Sequence, residues 1–436
     1  MKKLSLLFLS LFVLLFSFDS NAQKFDKKIN ELSSNYESDI IELRHWFHQN
    51  AELSNREFKT AERIANELRK IGLKPQTGIA KTGVVAVLKG GKPGPVVALR
   101  ADIDGLPVKE RADLPWKSEM IGEYNGENVP VMHACGHDTH TAILLGTAKI
   151  LYELKDKIPG TIKFIFQPAE EGAPSGEEGG AELMVKEGVL TNPDVDAIFG
   201  LHIWSQIGAG QVFVRPKGIM AAVNEFRIDI EGVQTHGSTP WTGIDPIVTA
   251  SQMINSIQTI VSRSMPLTEA AAVVTIGSIH GGVRSNIIPA MVEMEGTIRT
   301  FDSGIRDKIF SEMRTIAEST AKMAGASVEI FLPNGQNYPV TYNDEDLTKR
   351  VLPSLKKIVG EDMLYRSERT TGAEDFSFFS QEVPGFYFFL GVNKPDADPL
   401  TTSGNHSPFF YIDDGALPVG VKALTHLTIE YLNGEI

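Results

Sequence analysis

The chain has 436 residues, 42% of them hydrophobic and 22% charged, a composition typical of a soluble globular protein with room for two domains. Its formal net charge of -13 argues against nucleic acid or an anionic membrane surface as a partner. The sequence has a single cysteine, Cys135, which excludes an internal disulfide.

The N-terminus has the pattern of a secretory signal peptide. Two lysines precede the almost wholly apolar stretch 4–18, and Ala22 is the small residue that a signal peptidase prefers. The apolar stretch is short for a transmembrane helix, and no cysteine follows it directly to carry a lipid. We therefore expect residues 1–22 to be removed and the protein to be exported, periplasmic or secreted, without a stable membrane anchor. An uncleaved anchor is the alternative.

Helical and strand-like patterns alternate in the first half of the mature chain. Helical spacing continues to Gly72, which is expected to end a helix. The predicted segments are helices at Lys24–Gly72, Ala142–Leu154 and Ala181–Glu187, and strands at Gly83–Leu88, Pro95–Leu99, Gly160–Gln167 and Ala197–Leu201.

The pattern changes between residues 219 and 331 to strand, helix, strand, strand, helix, strand. That order fits a small α+β sandwich inserted in the main domain. The predicted segments are strands at Phe226–Glu231, Ala272–Ile279 and Met291–Arg299, and helices at Pro246–Ser262 and Ile305–Met323. Beyond the insert we expect helices at Asn343–Val359 and Ala416–Leu432 and a strand at Gly385–Gly391.

The stretch Met132–Thr141 holds the cysteine and three of the ten histidines. Cys135 and His137 are separated by Gly136, so the thiolate and the imidazole can turn toward one point. Such donors suit Zn²⁺ or a similar first-row metal. The alternative is a buried free cysteine beside solvated histidines, but a lone thiol in an oxidising compartment is a liability unless a metal occupies it.

Carboxylates follow two of the predicted strands. Asp102 and Asp104 follow the strand that contains Leu99, and Glu170 and Glu171 follow the strand that ends near Gln167. Neighbours in an extended segment point to opposite sides, so one glutamate can bind a metal while the other faces a substrate. Solvated acidic turns are the alternative for both pairs.

Two further histidines complete a candidate ligand set. His202 follows the predicted strand Ala197–Leu201, and His406 follows a glycine-containing loop; for a lone histidine at a strand end, a structural role is the alternative. The set has the content of a two-metal hydrolase site, in which ions lower the pKa of a water and polarise a carbonyl while a free carboxylate moves the proton. The candidate ligands are Cys135, His137, Glu171, His202 and His406.

The combined order and spacing of these motifs resembles the peptidase M20 family, in particular its amidohydrolase branch of hippurate hydrolases, N-acyl-amino-acid amidohydrolases and auxin-conjugate hydrolases. The matching stretches are Arg100–Pro107, His133–Thr141, Phe166–Gly172, His202, Gly232–Pro246, Ser285–Phe301, Gly372–Phe376 and His406–Phe409. The resemblance implies an α/β fold: a zinc-exopeptidase-like catalytic domain with a mixed sheet at residues 23–218 and 332–436. It also implies an inserted α+β, ferredoxin-like lid and dimerisation domain at 219–331, and hence a homodimer.

The resemblance also assigns roles. The five candidate ligands resemble those that hold two divalent ions, Zn, Mn, Co or Ni, and Glu170 resembles the general base. Asp102 and Asp104 stand where the wider family has a His-x-Asp pair, and we interpret Asp104 as orienting an imidazole. His236 resembles the lid histidine that stabilises the oxyanion. Asn286 and Arg299 resemble the lid residues that hold a substrate carboxylate, and Trp241 departs from the histidine that branch members commonly have.

The function expected from this resemblance is a metal-dependent amidohydrolase. Its substrate would be an N-acyl or aminoacyl amino acid, or a short peptide, with a free carboxylate. A carboxypeptidase or dipeptidase on the same site is the alternative enzyme. A non-catalytic binding protein with the same fold is the competing class, although binding alone does not require a general base such as Glu170.

Overall fold

The computed structural model describes the backbone of residues 2–266, 268 and 271–436, and the side chains from residue 25 onward with the same internal gaps. The predicted signal peptide, residues 1–22, lies outside the residues whose side chains are described. Among the described residues, no helix is long and apolar enough to cross a membrane. The chain divides into two compact units. The first comprises Met1–Val214, Asp344–Ser367 and Val383–Ile436, and the second Arg215–Asn343 and Glu368–Glu382.

The helices carry labels in chain order. They are α1 (Lys2–Gln49), α2 (Phe58–Ile71), α3 (His137–Leu154), α4 (Gly180–Lys186), α5 (Pro246–Thr259), α6 (Ser303–Ala324), α7 (Glu345–Val359), α8 (Phe376–Glu382) and α9 (Leu417–Asn433).

The strands are labelled in the same way. In the first half of the chain they are β1 (Gln76–Ile79), β2 (Gly83–Lys89), β3 (Lys92–Asp102), β4 (Ile121–Tyr124), β5 (Glu127–Pro130), β6 (Pro159–Gln167), β7 (Ala197–Gly208), β8 (Val212–Val214) and β9 (Lys217–Met220). The later strands are β10 (Ala222–Glu231), β11 (Thr235–His236), β12 (Ala272–Gly281), β13 (Ile287–Ile288), β14 (Met291–Thr300), β15 (Ser327–Phe331), β16 (Asn337–Tyr338), β17 (Thr341–Asn343), β18 (Leu364–Arg366) and β19 (Gly385–Asn393).

The first unit is built on a mixed sheet, as expected for the α/β fold class. Among the described residues it has eight strands in the order β1-β2-β6-β3-β7-β19-β8-β18. Neighbours in the stretch β6-β3-β7-β19 are parallel, whereas β2 and β8 run antiparallel to their partners in that stretch. Every residue of β19 is buried, because parallel strands are covered on both faces. The parallel arrangement brings the carboxyl ends of β3, β6 and β7 to one edge.

Helix α3 begins at His137, earlier than the predicted start at Ala142. Gly136 precedes it with φ 102°, a left-handed conformation that glycine adopts without steric cost, and this turn starts the helix at once. The His137 side chain therefore projects from the first helical turn, directly after Cys135. Strand β7 also extends beyond its predicted end at Leu201, so His202 lies within the strand.

The second unit has its own core. Its main sheet has the strand order β12-β14-β10-β15, with β16 also paired to β10. Helices α5 and α6 pack on this sheet, and each is preceded by an aspartate cap, Asp245 or Asp302, whose side chain accepts backbone N–H bonds. The unit includes residues 215–218, 332–343 and 368–382, which the sequence analysis placed in the catalytic domain. Residues 332–343 belong to it because β16 pairs with β10 and β17 with β9. Residues 368–382 belong to it because the Ala221 N–H donates to the carbonyls of Thr370 and Gly372.

Candidate metal centre

The sheet edge of the first unit collects the predicted acidic residues. Asp102 ends β3 opposite Gln167, the last residue of β6, so the segments that follow these two strands leave the sheet side by side. Asp104 lies just beyond the first strand, and Glu170 and Glu171 lie just beyond the second. Ligand-binding residues are expected at the carboxyl ends of parallel strands in such sheets.

Two hydrogen bonds to backbone carbonyls connect the Cys135 stretch with the His406 loop, although the two segments are far apart in sequence. The N–H of His406 donates to the Ala134 carbonyl at 2.7 Å, and Asn405 Nδ2 donates to the Cys135 carbonyl at 2.9 Å. His406 itself has φ 70°, an uncommon conformation for a residue with a Cβ. These bonds hold its imidazole beside the cysteine.

Cys135 lies at the centre of the cluster. Its Sγ is 3.3 Å from Nε2 of His202 and 3.2 Å from Nε2 of His406. The donor atoms of Cys135, His137 and His202 lie within 4.8 Å of one another, and so do those of Cys135, Glu171 and His406. The thiol therefore belongs to both groups of candidate ligands.

Hydrogen bonds fix which nitrogen each buried histidine presents. Nδ1 of His137 lies 2.9 Å from the Asp104 carbonyl, and Nδ1 of His202 lies 2.6 Å from the Ile203 carbonyl. A carbonyl oxygen accepts only, so each Nδ1 carries a proton, and Nε2 has the lone pair when the imidazole is neutral. Nε2 is therefore the atom that each histidine would offer to a metal.

Asp104 connects two of the candidate ligands. Its Oδ1 lies 3.1 Å from Nδ1 of His137, and its Oδ2 accepts the Glu171 backbone N–H at 3.0 Å and the Ser54 hydroxyl at 2.7 Å. Burial favours the neutral acid, but the contacts with His137, Ser54 and the Glu171 amide lower the pKa of Asp104 below its ordinary value. Asp104 is thus placed to orient His137 and the backbone of Glu171.

The two adjacent glutamates approach different parts of the cluster. Oε2 of Glu170 is 3.9 Å from Nε2 of His137, whereas Oε1 of Glu171 is 3.2 Å from Nε2 of His406. The donor atoms of His137 and both glutamates also lie within 4.8 Å of one another. The two carboxylates thus lie close together, because residues 170 and 171 form a turn and not the extended segment expected from the sequence.

A third acidic group, Asp102, is already neutralised by protein partners. Arg100 donates to it at 2.7 Å, and Nδ1 of His140 lies 2.5 Å away. Burial opposes its ionisation, but His137, His140 and Arg100 hold the pKa of Asp102 well below its ordinary value. Nε2 of His140 accepts the Ile203 N–H at 2.9 Å, so both nitrogens of His140 are occupied. His140 therefore stabilises Asp102, and neither of its nitrogens is available to bind a metal.

The remaining donors fit a divalent cation. Among the described residues, Nε2 of His137 is buried without a hydrogen-bond partner, which is costly unless another group satisfies it. Burial and the carboxylates of Glu171, Glu170 and Asp102 raise the pKa of the Cys135 thiol well above its ordinary value. A bound cation would reverse this effect, because it favours the thiolate. Sulfur, imidazole and carboxylate donors suit Zn²⁺ and similar metals.

The other predicted site residues belong to the second unit. His236 in β11 pairs opposite Ile287, and the Gly237 N–H donates to the carbonyl of Asn286, so His236 and Asn286 are neighbours on a two-stranded sheet. Nδ1 of His236 accepts the Ser238 N–H at 3.0 Å. The exposed neutral imidazole therefore presents Nε2–H as a donor.

Arg299 lies in β14 between Val223 of β10 and Val273 of β12. It is half-buried, and among the described residues no carboxylate forms an ion pair with its guanidinium. Burial lowers the pKa of Arg299, and Glu225 opposes this effect. Trp241, the residue that departs from the family pattern, is 79% exposed. Both side chains have surface that a ligand could contact.

Sequence reasoning missed the groups that support the cluster. Ser54 binds Asp104, Arg100 and His140 bind Asp102, and Arg44 binds Asp138 at 3.0 Å in the first turn of α3. Apart from Arg100, which is two residues from Asp102, these partners are distant in sequence from the acids they contact. The buried charge of Arg44 and Arg100 was the available signal, since Arg44 lies in a predicted helix and Arg100 directly follows a predicted core strand.

Comparisons with known proteins agree with this geometry. Residues 98–430 match the family model described as Peptidase family M20/M25/M40. The chain is 41% identical over 395 residues to thermostable carboxypeptidase 2 of Saccharolobus solfataricus, covering 90% of this chain and 95% of that protein. It is 37% identical over 388 residues to N-acetyl-L-cysteine deacetylase of Bacillus subtilis, covering 88% and 86% of the two chains.

The fold agrees with a solved structure as well. A Bacillus subtilis protein described as a dinuclear metal-binding peptidase of the M20 family has a TM-score of 0.76 and 33% sequence identity, covering 92% of this chain and 99% of that one. The predicted family, the mixed α/β fold and the enzyme class are thereby confirmed. The chain belongs to the M20 family, and it is a metal-dependent hydrolase of that family's amidohydrolases and peptidases.

Proposed function

We propose that the protein hydrolyses the amide bond of N-acyl or aminoacyl amino acids that carry a free carboxylate, with Glu170 as the general base. The observation that carries this proposal is that the adjacent glutamates have different nearest neighbours in the cluster. Glu171 lies against Cys135 and His406, whereas Glu170 approaches the cluster from the His137 side. Glu171 would then bind a metal, and Glu170 would transfer the proton.

The ligand set is proposed to hold two divalent ions. Cys135, His137 and His202 would form one group of ligands, and Cys135, Glu171 and His406 the other. Bound ions supply polarisation of the scissile carbonyl and a lowered pKa for the attacking water. The related Bacillus subtilis peptidase described as dinuclear supports the number of ions. The donor types allow Zn, Mn, Co or Ni.

The remaining steps fall to side chains of this protein. Glu170 accepts the proton of the attacking water and returns it to the nitrogen of the leaving amino acid. His236 presents an Nε2–H for the oxyanion, since its Nδ1 is occupied by the Ser238 N–H. Asn286 and Arg299 bind the substrate carboxylate, for which a planar guanidinium is well suited.

The carboxypeptidase or dipeptidase alternative uses the same residues and is supported by the 41% identical carboxypeptidase. The substrates then differ only on the acyl side of the amide. A screen that compares N-acyl amino acids with dipeptides of the same C-terminal residue shows which of the two substrate classes is hydrolysed. Because the chain belongs to a family of hydrolases, we set the binding-protein alternative aside.

We also propose export of the mature chain and a homodimer. Among the described strands, β12 lies at an edge of the second unit's sheet, and its Val273 and Ile279 are 41% and 49% exposed. An exposed strand edge of this kind pairs readily with another chain. Sedimentation of the protein recovered from the periplasm or medium should give twice the mass of a single mature chain, and a monomer at micromolar concentration would contradict the dimer.

The mass of the denatured chain tests cleavage. A mass that includes residues 1–22 would contradict it.

Asp104 generates a prediction about metal affinity. Removing its carboxylate by Asp104→Ala frees the imidazole of His137 and the backbone of Glu171, so metal affinity should fall by roughly 10- to 100-fold. Titration against a competing chelator measures the change. Asp156→Ala, at a side chain that is 86% exposed, is the matched control and should bind as the parent does. Equal affinities in all three proteins would remove the orienting role of Asp104.

Glu170→Gln should separate metal binding from proton transfer. The amide keeps the shape of the side chain but cannot accept the proton, so turnover should fall by roughly 10²- to 10⁴-fold while metal content stays unchanged. Glu171→Gln is the matched comparison, and it should lose metal. Near-parental turnover by Glu170→Gln, together with full metal content in Glu171→Gln, would show that the two roles are misassigned.

Arg299 should be sensitive to the charge of the substrate. A charge-assisted contact is worth on the order of 1.5–3 kcal/mol, so amidating the substrate carboxylate should lower kcat/KM of the parent by roughly one to two orders of magnitude. In Arg299→Ala this difference should largely vanish, which a cycle of enzyme and substrate variants measures.

Arg227→Ala is the matched control for this cycle. Arg227 lies in the same sheet, but its guanidinium is already paired with Asp229 and Glu293. The control should keep the full preference for the free acid. If the parent cleaves acid and amide equally well, or if Arg299→Ala slows both by one factor, Arg299 does not recognise the carboxylate.

A further inference from the structure

The segment Ser54–Glu57, between α1 and α2, contacts the loop that carries the two glutamates. We call residues 168–178 the glutamate loop. Neither the ligand set nor the proposed proton transfer involves the side chains of Ser54–Glu57. Nevertheless, these side chains contact either the glutamate loop itself or Asp104, which binds the backbone N–H of Glu171.

The critical position of the loop is Ala169, directly before Glu170. Its φ is 53°, in the left-handed region that a residue with a Cβ rarely adopts. Its buried N–H donates to Oε1 of Glu57 at 2.9 Å. The turn that leads to Glu170 therefore uses a disfavoured backbone conformation, which one side-chain acceptor stabilises.

Glu57 is itself fully buried, with 0% of its surface exposed. Its other oxygen lies 2.6 Å from the Thr82 hydroxyl, so both ends of the carboxyl group are engaged. Burial and the charge of Asp104 raise the pKa of Glu57 to about 8, although Thr82 and the Ala169 N–H oppose this rise. Each carboxyl oxygen of Glu57 is the acceptor for one donor, the Thr82 hydroxyl or the Ala169 N–H.

Other members of the segment hold the rest of the glutamate loop. Arg56 contacts Oε1 of Glu177 at 2.6 Å, and Asn55 Nδ2 donates to its Oε2 at 3.1 Å. Ser54 binds Asp104, which in turn accepts the backbone N–H of Glu171. The segment Ser54–Glu57 therefore stabilises the glutamate loop both before and after Glu170.

We propose that Glu57 is a positioning residue for hydrolysis: its carboxyl oxygen holds the Ala169 N–H and thereby fixes the turn that aims Glu170 and Glu171. This inference rests on the proposed function of those glutamates. It gives a positioning role to Glu57, for which the described residues show no hydrogen bond to a candidate ligand atom.

The test compares substitutions that keep or remove the acceptor. Glu57→Gln retains an oxygen for Ala169 and an N–H for Thr82, so it should keep kcat within a few-fold of the parent. Glu57→Ala removes the acceptor, and kcat should fall by roughly 10- to 100-fold with little change in KM, because a displaced catalytic group slows the chemical step. If Glu57→Ala does not fold, Glu57→Asp, which withdraws the oxygen by one methylene, should show the same loss.

A second substitution isolates the backbone. Glycine adopts φ 53° without the steric penalty, so Ala169→Gly added to Glu57→Ala should restore much of kcat. Leu68→Ala, in the core face of α2, is the control for lost stability and should lower the melting temperature while leaving kcat unchanged. A loss of kcat in Glu57→Ala that Ala169→Gly does not restore, and that Leu68→Ala reproduces, would overturn the proposal.

Amide hydrogen exchange of the metal-loaded proteins gives a readout that does not depend on activity. In Glu57→Ala the amides of Ala169 and its neighbours in the loop should exchange faster, while those of Leu68 and the rest of α2 should not. Unchanged exchange at Ala169 overturns the role of Glu57 whatever the activity. Faster exchange in an enzyme whose parent does not cleave amides would instead support the turn and overturn the proposed function.

Discussion

Acidic side chains are buried together at the carboxyl edge of β3 and β6, and the rest of the site depends on how their charge is compensated. Parallel strands necessarily bring Asp102, Asp104, Glu170 and Glu171 to the same edge. Carboxylates in a protein interior are costly unless they are paired, hydrogen-bonded or bound to a cation. The arrangement of neighbouring residues follows from that requirement.

Part of the compensation is built into the protein. Arg100 and His140 neutralise Asp102, and Arg44 and His48 contact Asp138 at 3.0 and 2.9 Å at the start of α3. These acids are satisfied without any metal. Burial opposes the ionisation of Asp138, yet Arg44 and His48 hold its pKa well below the ordinary value. Helix α3, and with it His137, is thereby fixed in place before any ligand binds.

The rest of the compensation would come from a bound cation. Nε2 of His137 is buried without a hydrogen-bond partner among the described residues, and the thiol of Cys135 is close to carboxylates. The fold thus forms a preorganised cluster that a divalent cation would complete. Preorganisation has a structural cost, which is visible in the left-handed backbone of Ala169 and His406 on either side of the cluster.

The sequence was informative where function depends on local pattern. Cys135 and His137 flank a glycine, and the paired glutamates follow an apolar strand, so the donors and the parallel edge could be anticipated. It was uninformative where a side chain binds a distant backbone N–H. Glu57 is separated from Ala169 by 112 positions, and a backbone donor leaves no signature in the sequence. The early start of α3 was missed because it depends on the left-handed turn at Gly136.

The most direct test of this account is an anomalous-scattering measurement on crystals of the metal-loaded protein, with data collected at the absorption edge of the bound metal. The account predicts two peaks that share Cys135 as a neighbour. One should lie among Cys135, His137 and His202, and the other among Cys135, Glu171 and His406. A single peak away from the thiol, or fully loaded and active protein without a peak at these side chains, would contradict it.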